Sequence, residues 1–333
     1  MQNTRYILKA RPEANLGPEH FEKTEETLES LEDGKARVRV IYVSLDPAMR
    51  GWVSASKDSY LPPVPLGDTM RSLGVGVVEE SKSDDFAVGD WVSGMTGWTK
   101  FVDVGSGQLN VVPKMPHIED YMGILGLPGA TAYHGLVIEG QPKAGETLCV
   151  TGAAGSVGSL VGQIGKALGL RVIGIAGTKE KCDWLVHELG FDAALSYRID
   201  DLDAGLKAFA PDGIDLHFEN VGGKPFNAAL RNMKAFGRMI FCGFISVYNG
   251  ERADEQPEMT ALVRKRLTFK GFVMTDHWDS FPSIFQELGK LMMQGKLKYR
   301  LDIEEGLDRA PAAFNKLFEG TNKGKLVVKV SDI

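Results

Sequence analysis

Residues 145–159, Gly-Glu-Thr-Leu-Cys-Val-Thr-Gly-Ala-Ala-Gly-Ser-Val-Gly-Ser, run an apolar strand straight into a glycine turn that opens a helix. Ala153, Gly155 and Gly158 occupy the three positions of the dinucleotide fingerprint G-x-G-x-x-G/A, with alanine in the first. A glycine at 155 lets the backbone approach a pyrophosphate, and one at 158 lets the helix pack closely on the strand. The free N–H groups and positive dipole end of the helix then face the phosphates. The helix from Ser156 to Leu168 leads through Gly169 into a second apolar strand, Arg171 to Ala176, which is the strand, helix, strand context the motif requires.

The end of that second strand bears on which dinucleotide fits. An NAD site usually carries Asp or Glu about 20 residues after the glycines to hold the ribose 2′-hydroxyl. Here the strand ends Ile175-Ala-Gly-Thr-Lys-Glu-Lys181, with no carboxylate at its tip and two lysines and a threonine beyond it. A 2′-phosphate meets donors and positive charge there, so NADP(H) is expected over NAD. One of Lys179 and Lys181 can equally be a solvated first-turn residue. A lysine at a helix N-terminus is unfavourable unless it meets an anion, which favours a ligand for the other.

Composition narrows the alternatives. A chain of 333 residues is long enough for about two domains. A hydrophobic fraction of 43% and a net charge of −6 are ordinary for a globular protein. Lysines and arginines are dispersed, without the basic stripe that grips a phosphate backbone, so no nucleic acid partner is expected. The N-terminus has no apolar signal core and no run of about 18 apolar residues occurs, so a cytoplasmic protein without a membrane segment is expected. Cys149, Cys182 and Cys242 lie far apart, and the six histidines show neither i, i+4 pairing nor a neighbouring cysteine cluster. No disulfide framework and no structural or catalytic metal is expected. A G-x-S-x-G elbow and a Walker loop are both absent, which leaves hydrolase and phosphoryl-transfer readings without support.

These residues need elements to position them. Before residue 122, short β-rich runs such as 35–44 and 74–78 alternate with glycine and proline turns, as in a small antiparallel barrel. After it the pattern becomes βαβ: strands over 146–151, 171–176, 193–196, 214–218, 237–242 and 268–273, with helices over 156–168, 179–189, 200–209 and 224–234. That predicts an α/β fold with a six-stranded, doubly wound parallel sheet. A helix over 281–294, an amphipathic stretch over 310–318 and a strand over 324–330 follow. The last strand has no partner in the doubly wound unit and is expected to return to the barrel. Gly250 to Glu258 reads as the one long, charged, proline-containing loop.

Several separated segments in this order resemble the medium-chain dehydrogenase/reductases, and within them the zinc-independent leukotriene and prostaglandin reductase, or alkenal double-bond reductase, branch. They are Ser44-Leu-Asp-Pro-Ala-Met-Arg50, Leu127-Pro-Gly-Ala-Thr-Ala-Tyr-His-Gly135, Ala153-Ala-Gly-Ser-Val-Gly158, Ala176-Gly-Thr-Lys-Glu-Lys181, Glu219-Asn-Val-Gly-Gly223, Phe241-Cys-Gly-Phe-Ile-Ser246, Tyr248-Asn249 and Thr321-Asn-Lys-Gly-Lys325. The resemblance covers nearly the whole chain. It implies a GroES-like barrel domain over 1–122, completed by about 300–333, and a Rossmann NADP-binding domain over 123–299. It further implies a metal-free, NADPH-dependent reductase of the carbon–carbon double bond of α,β-unsaturated aldehydes and ketones, working as a homodimer. Carried over by position, Gly155, Ser156, Val157 and Gly158 contact the pyrophosphate, while Lys181 and Tyr197 hold the 2′-phosphate. Asn220 lies along the cofactor. Cys242, Gly243, Phe244, Ile245, Ser246 and Tyr248 line the nicotinamide and its ribose, Phe272, Val273 and Met274 contact the ring side, and Asn322 closes from the C-terminal strand.

In such a reaction hydride reaches the β-carbon of an enone and charge develops on the carbonyl oxygen, so donors aimed at that oxygen are the main requirement. The resemblance implies the ribose 2′-hydroxyl and Tyr248 for this task, with a purely positioning role for Tyr248 equally open. Some relatives carry a tyrosine in the segment that here reads Asp46-Pro-Ala-Met49, and others have one near Arg264; both hydroxyls are missing. Tyr60 is a substitute from a barrel loop. A quinone reductase of the same superfamily, or a nucleotide-binding protein with little catalysis, remain alternatives at this level, since fold does not fix function.

Overall fold

The computed structural model describes residues 1–56, 58–250 and 256–333, so most of the charged loop anticipated over 250–258 lies outside the described residues. The chain forms two compact units, one from 1–122 with 301–333 and the other from 123–300.

In the first unit β1 (Gln2–Leu8) pairs antiparallel with β2 (Phe21–Thr27). The remaining strands there are β3 (Ala36–Ser44), β4 (Leu73–Ser81), β5 (Trp91–Met95), β6 (Phe101–Val104) and β7 (Leu109–Val112). The second unit contributes β8 (Thr147–Thr151), β9 (Arg171–Ala176), β10 (Ala193–Ser196), β11 (Ile214–Glu219), β12 (Met233–Phe241) and β13 (Thr268–Gly271). The chain then returns to the first unit with β14 (Leu301–Glu305) and β15 (Lys325–Lys329).

The first unit's large sheet runs β14-β15-β3-β4-β5-β7, with β6 also on β3. The terminal strand therefore does return to the barrel, pairing Val327, Val328 and Lys329 with Ser44, Val43 and Tyr42. This return is locked by a buried cation. Lys325, 2% exposed, reaches Asp46 Oδ1 at 2.6 Å and the Leu45 carbonyl at 3.0 Å. An isolated buried ammonium is expensive, so the Asp46 turn and the last strand hold each other in place. Arg50, likewise buried, donates to the Ala14 carbonyl at 3.0 Å and fixes the following turn.

In the second unit the sheet order is β10-β9-β8-β11-β12-β13 and every pair is parallel. This is the six-stranded doubly wound sheet anticipated from the alternating pattern. Near-continuous apolar runs such as Val172–Ala176 are buried, as expected for strands covered by helices on both faces. Boundaries moved where local chemistry intervened. The helix expected over 224–234 spans Gly223–Arg231, because Asn232 turns its amide Nδ2 back onto the Ala228 carbonyl at 2.8 Å. The strand expected from 237 starts at Met233, with Phe236 in the left-handed region at φ 64. The helix expected from 200 starts at Leu202, since Asp201 caps it by accepting from the Ala204 N–H at 3.0 Å. The amphipathic stretch 310–318 divides into two short helices, Ala310–Ala313 and Lys316–Glu319.

Candidate functional site

Parallel strands all deliver their carboxyl ends to one edge of the sheet, and ligands of such sheets bind outside that edge. Gly155 to Gly158 follow β8, Lys181 follows β9 and Tyr197 follows β10. Asn220 follows β11, Cys242 to Tyr248 follow β12, and Phe272 to Met274 follow β13. The second unit thus brings the sequence-derived residues 155–274 to a single edge. Tyr60, half exposed, and Asn322, buried, belong to the first unit.

The glycine turn is tighter than the three-glycine fingerprint alone indicated. The left-handed residue is Gly152, at φ +58, immediately before the alanine in the fingerprint's first position. Gly155 donates its N–H to the Gly152 carbonyl at 2.9 Å, and is the extended N-cap of the helix Ser156–Ala167. A Cβ on Gly158 would stand 2.4 Å from the Gly152 oxygen and 2.9 Å from Ala153 Cα, so only glycine lets this helix sit on its strand. A Cβ on Gly155 would meet only that oxygen, at 3.1 Å. No side chain caps the helix, and the first N–H groups of the helix find no acceptor among the described residues. Backbone donors, a positive dipole end and no Cβ in the way fit a pyrophosphate.

At the next strand ends, the two lysines separate. Lys179 is exposed and pairs with Asp183 at 3.1 Å, four residues along the helix Lys179–His187, which makes it the solvated residue of the pair. Lys181 is half-buried, and its backbone N–H is held by the Thr178 hydroxyl that caps the helix, at 3.3 Å. Tyr197 continues from β10 with its N–H on the Ala176 carbonyl at 3.0 Å. Its hydroxyl lies beside Gly177, where a Cβ would approach it to 3.3 Å, and the Arg198 guanidinium sits 5.7 Å from its ring centroid. Lysine, arginine, a threonine cap and a phenol thus surround the tip of β9, where an NAD site would place an acid.

Glu219, at the tip of β11, is a residue the sequence reading quoted but gave no role. It is fully buried, and its carboxylate accepts from His217 Nε2 at 2.7 Å, the Thr151 hydroxyl at 2.8 Å, and the N–H groups of Val221 at 2.5 Å and Gly222 at 2.8 Å. Its own carbonyl accepts from the Cys242 N–H at 2.9 Å. Burial opposes its ionisation, but the bonds from His217, Gly222 and Val221 outweigh it and hold the carboxyl below its ordinary range. One signal for it stood in the sequence: His217 and Glu219 are two apart in an apolar strand, hence on the same face. Asn220 completes the tie between strand ends, with its N–H on Thr151 Oγ1 at 2.9 Å and its amide Nδ2 on the Thr151 carbonyl at 2.7 Å.

The loop after β12 hangs from this node. Ile245 and Ser246 donate their N–H groups to the carbonyls of Asn220 and Val221, at 3.1 and 2.9 Å. Tyr248 folds back so that its hydroxyl accepts from the Phe244 N–H at 3.1 Å and lies against Gly243, where a Cβ would come within 2.9 Å of it. Phe244 is on the surface, stacked on Phe241 at 5.4 Å. Burial, with the Glu219 charge behind it, pushes the Cys242 thiol up to about 12, so it stays protonated and is not a nucleophile. Beyond β13, Phe272 packs edge-on against Phe218 at 6.3 Å, Val273 is extended and Met274 is buried.

Residues 4–112 match the family described as the N-terminal domain of oxidoreductase, and residues 156–291 match the zinc-binding dehydrogenase family. The chain is 40% identical over 340 residues to the NADPH-dependent curcumin reductase of Escherichia coli, covering 99% of this chain and 97% of that protein. It is 42% identical over 297 residues to the NADP(+)-dependent 2-alkenal reductase of Nicotiana tabacum, covering 88% and 87%. The crystal structure of CurA from Vibrio vulnificus in complex with NADPH superposes with a TM-score of 0.93 at 39% identity, covering 99% of this chain and all of that one.

Proposed function

Because the chain belongs to the zinc-independent medium-chain dehydrogenase/reductases, in their alkenal double-bond reductase branch, we propose that it reduces the carbon–carbon double bond of α,β-unsaturated aldehydes and ketones with NADPH. The observation that carries this reading is the 40% identity that runs through 99% of the chain to an NADPH-dependent curcumin reductase. The site agrees with it in kind. Donors and glycine clearance suit a pyrophosphate, and the tip of β9 offers positive charge instead of an acid.

When bound, NADPH supplies the hydride that the enone β-carbon accepts. The chain's own part is to bind, orient and neutralise. Gly155, Ser156, Val157 and Gly158 hold the pyrophosphate with backbone donors, Lys181 and Tyr197 take the 2′-phosphate, and Asn220 with residues 242–248 and 272–274 forms the nicotinamide end. Asn322 contributes from the first unit. As electron density moves onto the carbonyl oxygen, Tyr248 donates its hydroxyl proton in a hydrogen bond to that oxygen, with Tyr60 as the second candidate donor, and solvent protonates the α-carbon. A phenol can accept from the Phe244 N–H and donate at the same time. In this reading residues 123–299 are the NADP-binding domain, and 1–122 with about 300–333 form the substrate domain. A cytoplasmic homodimer is part of the same proposal and rests on the family. No helix among the described residues is long and apolar enough to cross a membrane.

The test follows the label. With a simple aryl enone and NADPH deuterated at its transferable position, one deuterium is expected at the β-carbon of a saturated ketone. An allylic alcohol as product overturns the reaction class.

A further inference from the structure

The histidines that lie scattered along the sequence do not all stay apart. The helix Leu127–Tyr133 runs into a π-helical segment, His134–Glu139, in which the Gly140 N–H reaches back five residues to the Gly135 carbonyl at 3.0 Å. In an α-helix the facing neighbours are three and four apart, but here a five-residue step places the Glu139 carboxylate over the His134 ring. Oε1 of Glu139 and Nε2 of His134 are 3.1 Å apart. Gly135 lets this segment lie directly on two rings, since a Cβ there would press to 2.5 Å on Phe272 and 2.7 Å on Phe218. From the turn after β13, the His277 ring stacks on His134 with centroids 4.0 Å apart, and its nitrogens make no hydrogen bond among the described residues. One donor atom from each of His134, Glu139 and His277 lies within 4.8 Å of the other two. His134 and Glu139 are both almost fully buried.

We propose that His134, Glu139 and His277 form a binding site for one first-row transition-metal dication of the zinc class, beside Phe272 at the end of β13. Two imidazoles and a carboxylate are the donor set of zinc rather than of calcium or magnesium, which take oxygen ligands. A dication about 2.1 Å from both Nε2 and Oε1 subtends an angle of about 95° at their 3.1 Å separation, within the range of a distorted tetrahedron. Tetrahedral donors lie about 3.4 Å apart and imidazole lone pairs lie in the ring planes, so to reach the ion the His277 ring must rotate out of its stack on His134 as well as move inward, which its partly exposed place after a short turn permits. Three protein ligands leave a fourth position for water. The other carboxylate oxygen of Glu139 is paired with Lys270. That ammonium orients the carboxylate, as outer partners of metal ligands do, but its charge also repels a dication and weakens the site. A bound ion would tie the turn after β13 to the π-helical segment.

The metal-stripped full chain, titrated with Zn²⁺ and assayed by dialysis with elemental analysis, is expected to retain one zinc per chain and to melt at a higher temperature in its presence. Co²⁺ in the same site should give a visible absorption band. His277→Ala and Glu139→Gln, checked for folding by circular dichroism, should each lose at least tenfold in zinc affinity and lose the cobalt band. Exchange of the exposed His187 for Ala should change nothing. The proposal is overturned if the unmodified chain retains no zinc, or if His277→Ala or Glu139→Gln retains it as well as the unmodified chain.

Discussion

The glycine turn after β8 and the Glu219 node at the tip of β11 sit on neighbouring strands of one sheet, yet they are built by opposite means. The turn works through backbone. Its donors are main-chain N–H groups, and its specification is the absence of side chains at 152, 155 and 158. The node works through side chains drawn from β8 and β11, with backbone donors from the turn at 221–222, all converging on one buried carboxylate. A site of the first kind is local in sequence and announces itself by spacing. A site of the second kind exists only once the strands have paired. In the proposed reading the contrast also divides their tasks: the turn offers its donors to the pyrophosphate, while the node holds the strand ends and the loop after β12 in place.

The largest expected effect comes from emptying the node. Glu219→Ala strands His217, Thr151 and two backbone N–H groups in a dry interior, and should cost about 3–5 kcal/mol in denaturant unfolding. Glu219→Gln keeps the volume and isolates the charge. The Glu219 carboxyl ionises more readily folded than unfolded, so the unfolded chain binds the extra proton as the solution is acidified. Its contribution is therefore complete above the unfolded carboxylate value of about 4.3 and is lost as pH falls further through the lower folded value. The Gln variant should lose less stability than the parent between roughly pH 5 and pH 3. Parallel acid limbs for the two proteins would show that the carboxylate is not the node's organising charge.

Next comes the turn. Gly158→Val places a side chain where even a Cβ is 2.4 Å from a main-chain oxygen, which cannot yield as a flexible side-chain tip does. A loss of about 3 kcal/mol or more in stability is expected, with NADPH binding lost as the helix lifts from its strand. Gly155→Ala, with a single 3.1 Å contact, should leave the melting temperature nearly unchanged and raise the NADPH Kd. If both variants fold and bind normally, the clearance argument fails.

This difference explains what could be read from the chain. The succession of strands and helices, the turn at 153–158 and the return of the last strand to the barrel follow from alternation, glycine spacing and an unpartnered apolar run, all of which are local patterns. The Glu219 network, the Lys325 ion pair with Asp46 and the meeting of His134 with His277 join residues from 2 to 279 positions apart. No periodicity encodes them. Even so, charged residues inside apolar strands, such as Glu219 in 214–219 and Lys325 at the head of 325–329, marked where such partners had to be found, because a buried charge must be paired. The left-handed turn residue stayed hidden for a related reason: the fingerprint names Ala153, Gly155 and Gly158, whereas φ +58 falls on Gly152, just before its first position.

Tyr248 lies between the two kinds of region, a side chain that folds back on its own loop. Tyr248→Phe removes both its acceptor role toward the Phe244 N–H and its hydroxyl proton. If that proton serves the developing enolate oxygen, kcat should fall about 10- to 1000-fold with NADPH affinity little changed. A rise in the NADPH KM with kcat intact would assign the tyrosine to loop positioning instead.

The smallest and most selective test compares two lysines two residues apart. Lys181 is half-buried in the first turn of the helix that Thr178 caps at the tip of β9, whereas Lys179 points to solvent and is satisfied by Asp183. Only Lys181 is expected to meet a 2′-phosphate. A charge-assisted hydrogen bond is worth about 1.5–3 kcal/mol, so Lys181→Ala should lower the preference for NADPH over NADH roughly 10- to 150-fold, with turnover on NADH nearly unchanged. Lys179→Ala removes an exposed i, i+4 pair worth about 0.3–0.5 kcal/mol, so the preference should stay within about twofold of the parent. Steady-state kcat/KM ratios for the two cofactors decide it. Equal losses from both substitutions would mean that the region attracts phosphate by diffuse charge and that the burial of Lys181 does not define a pocket.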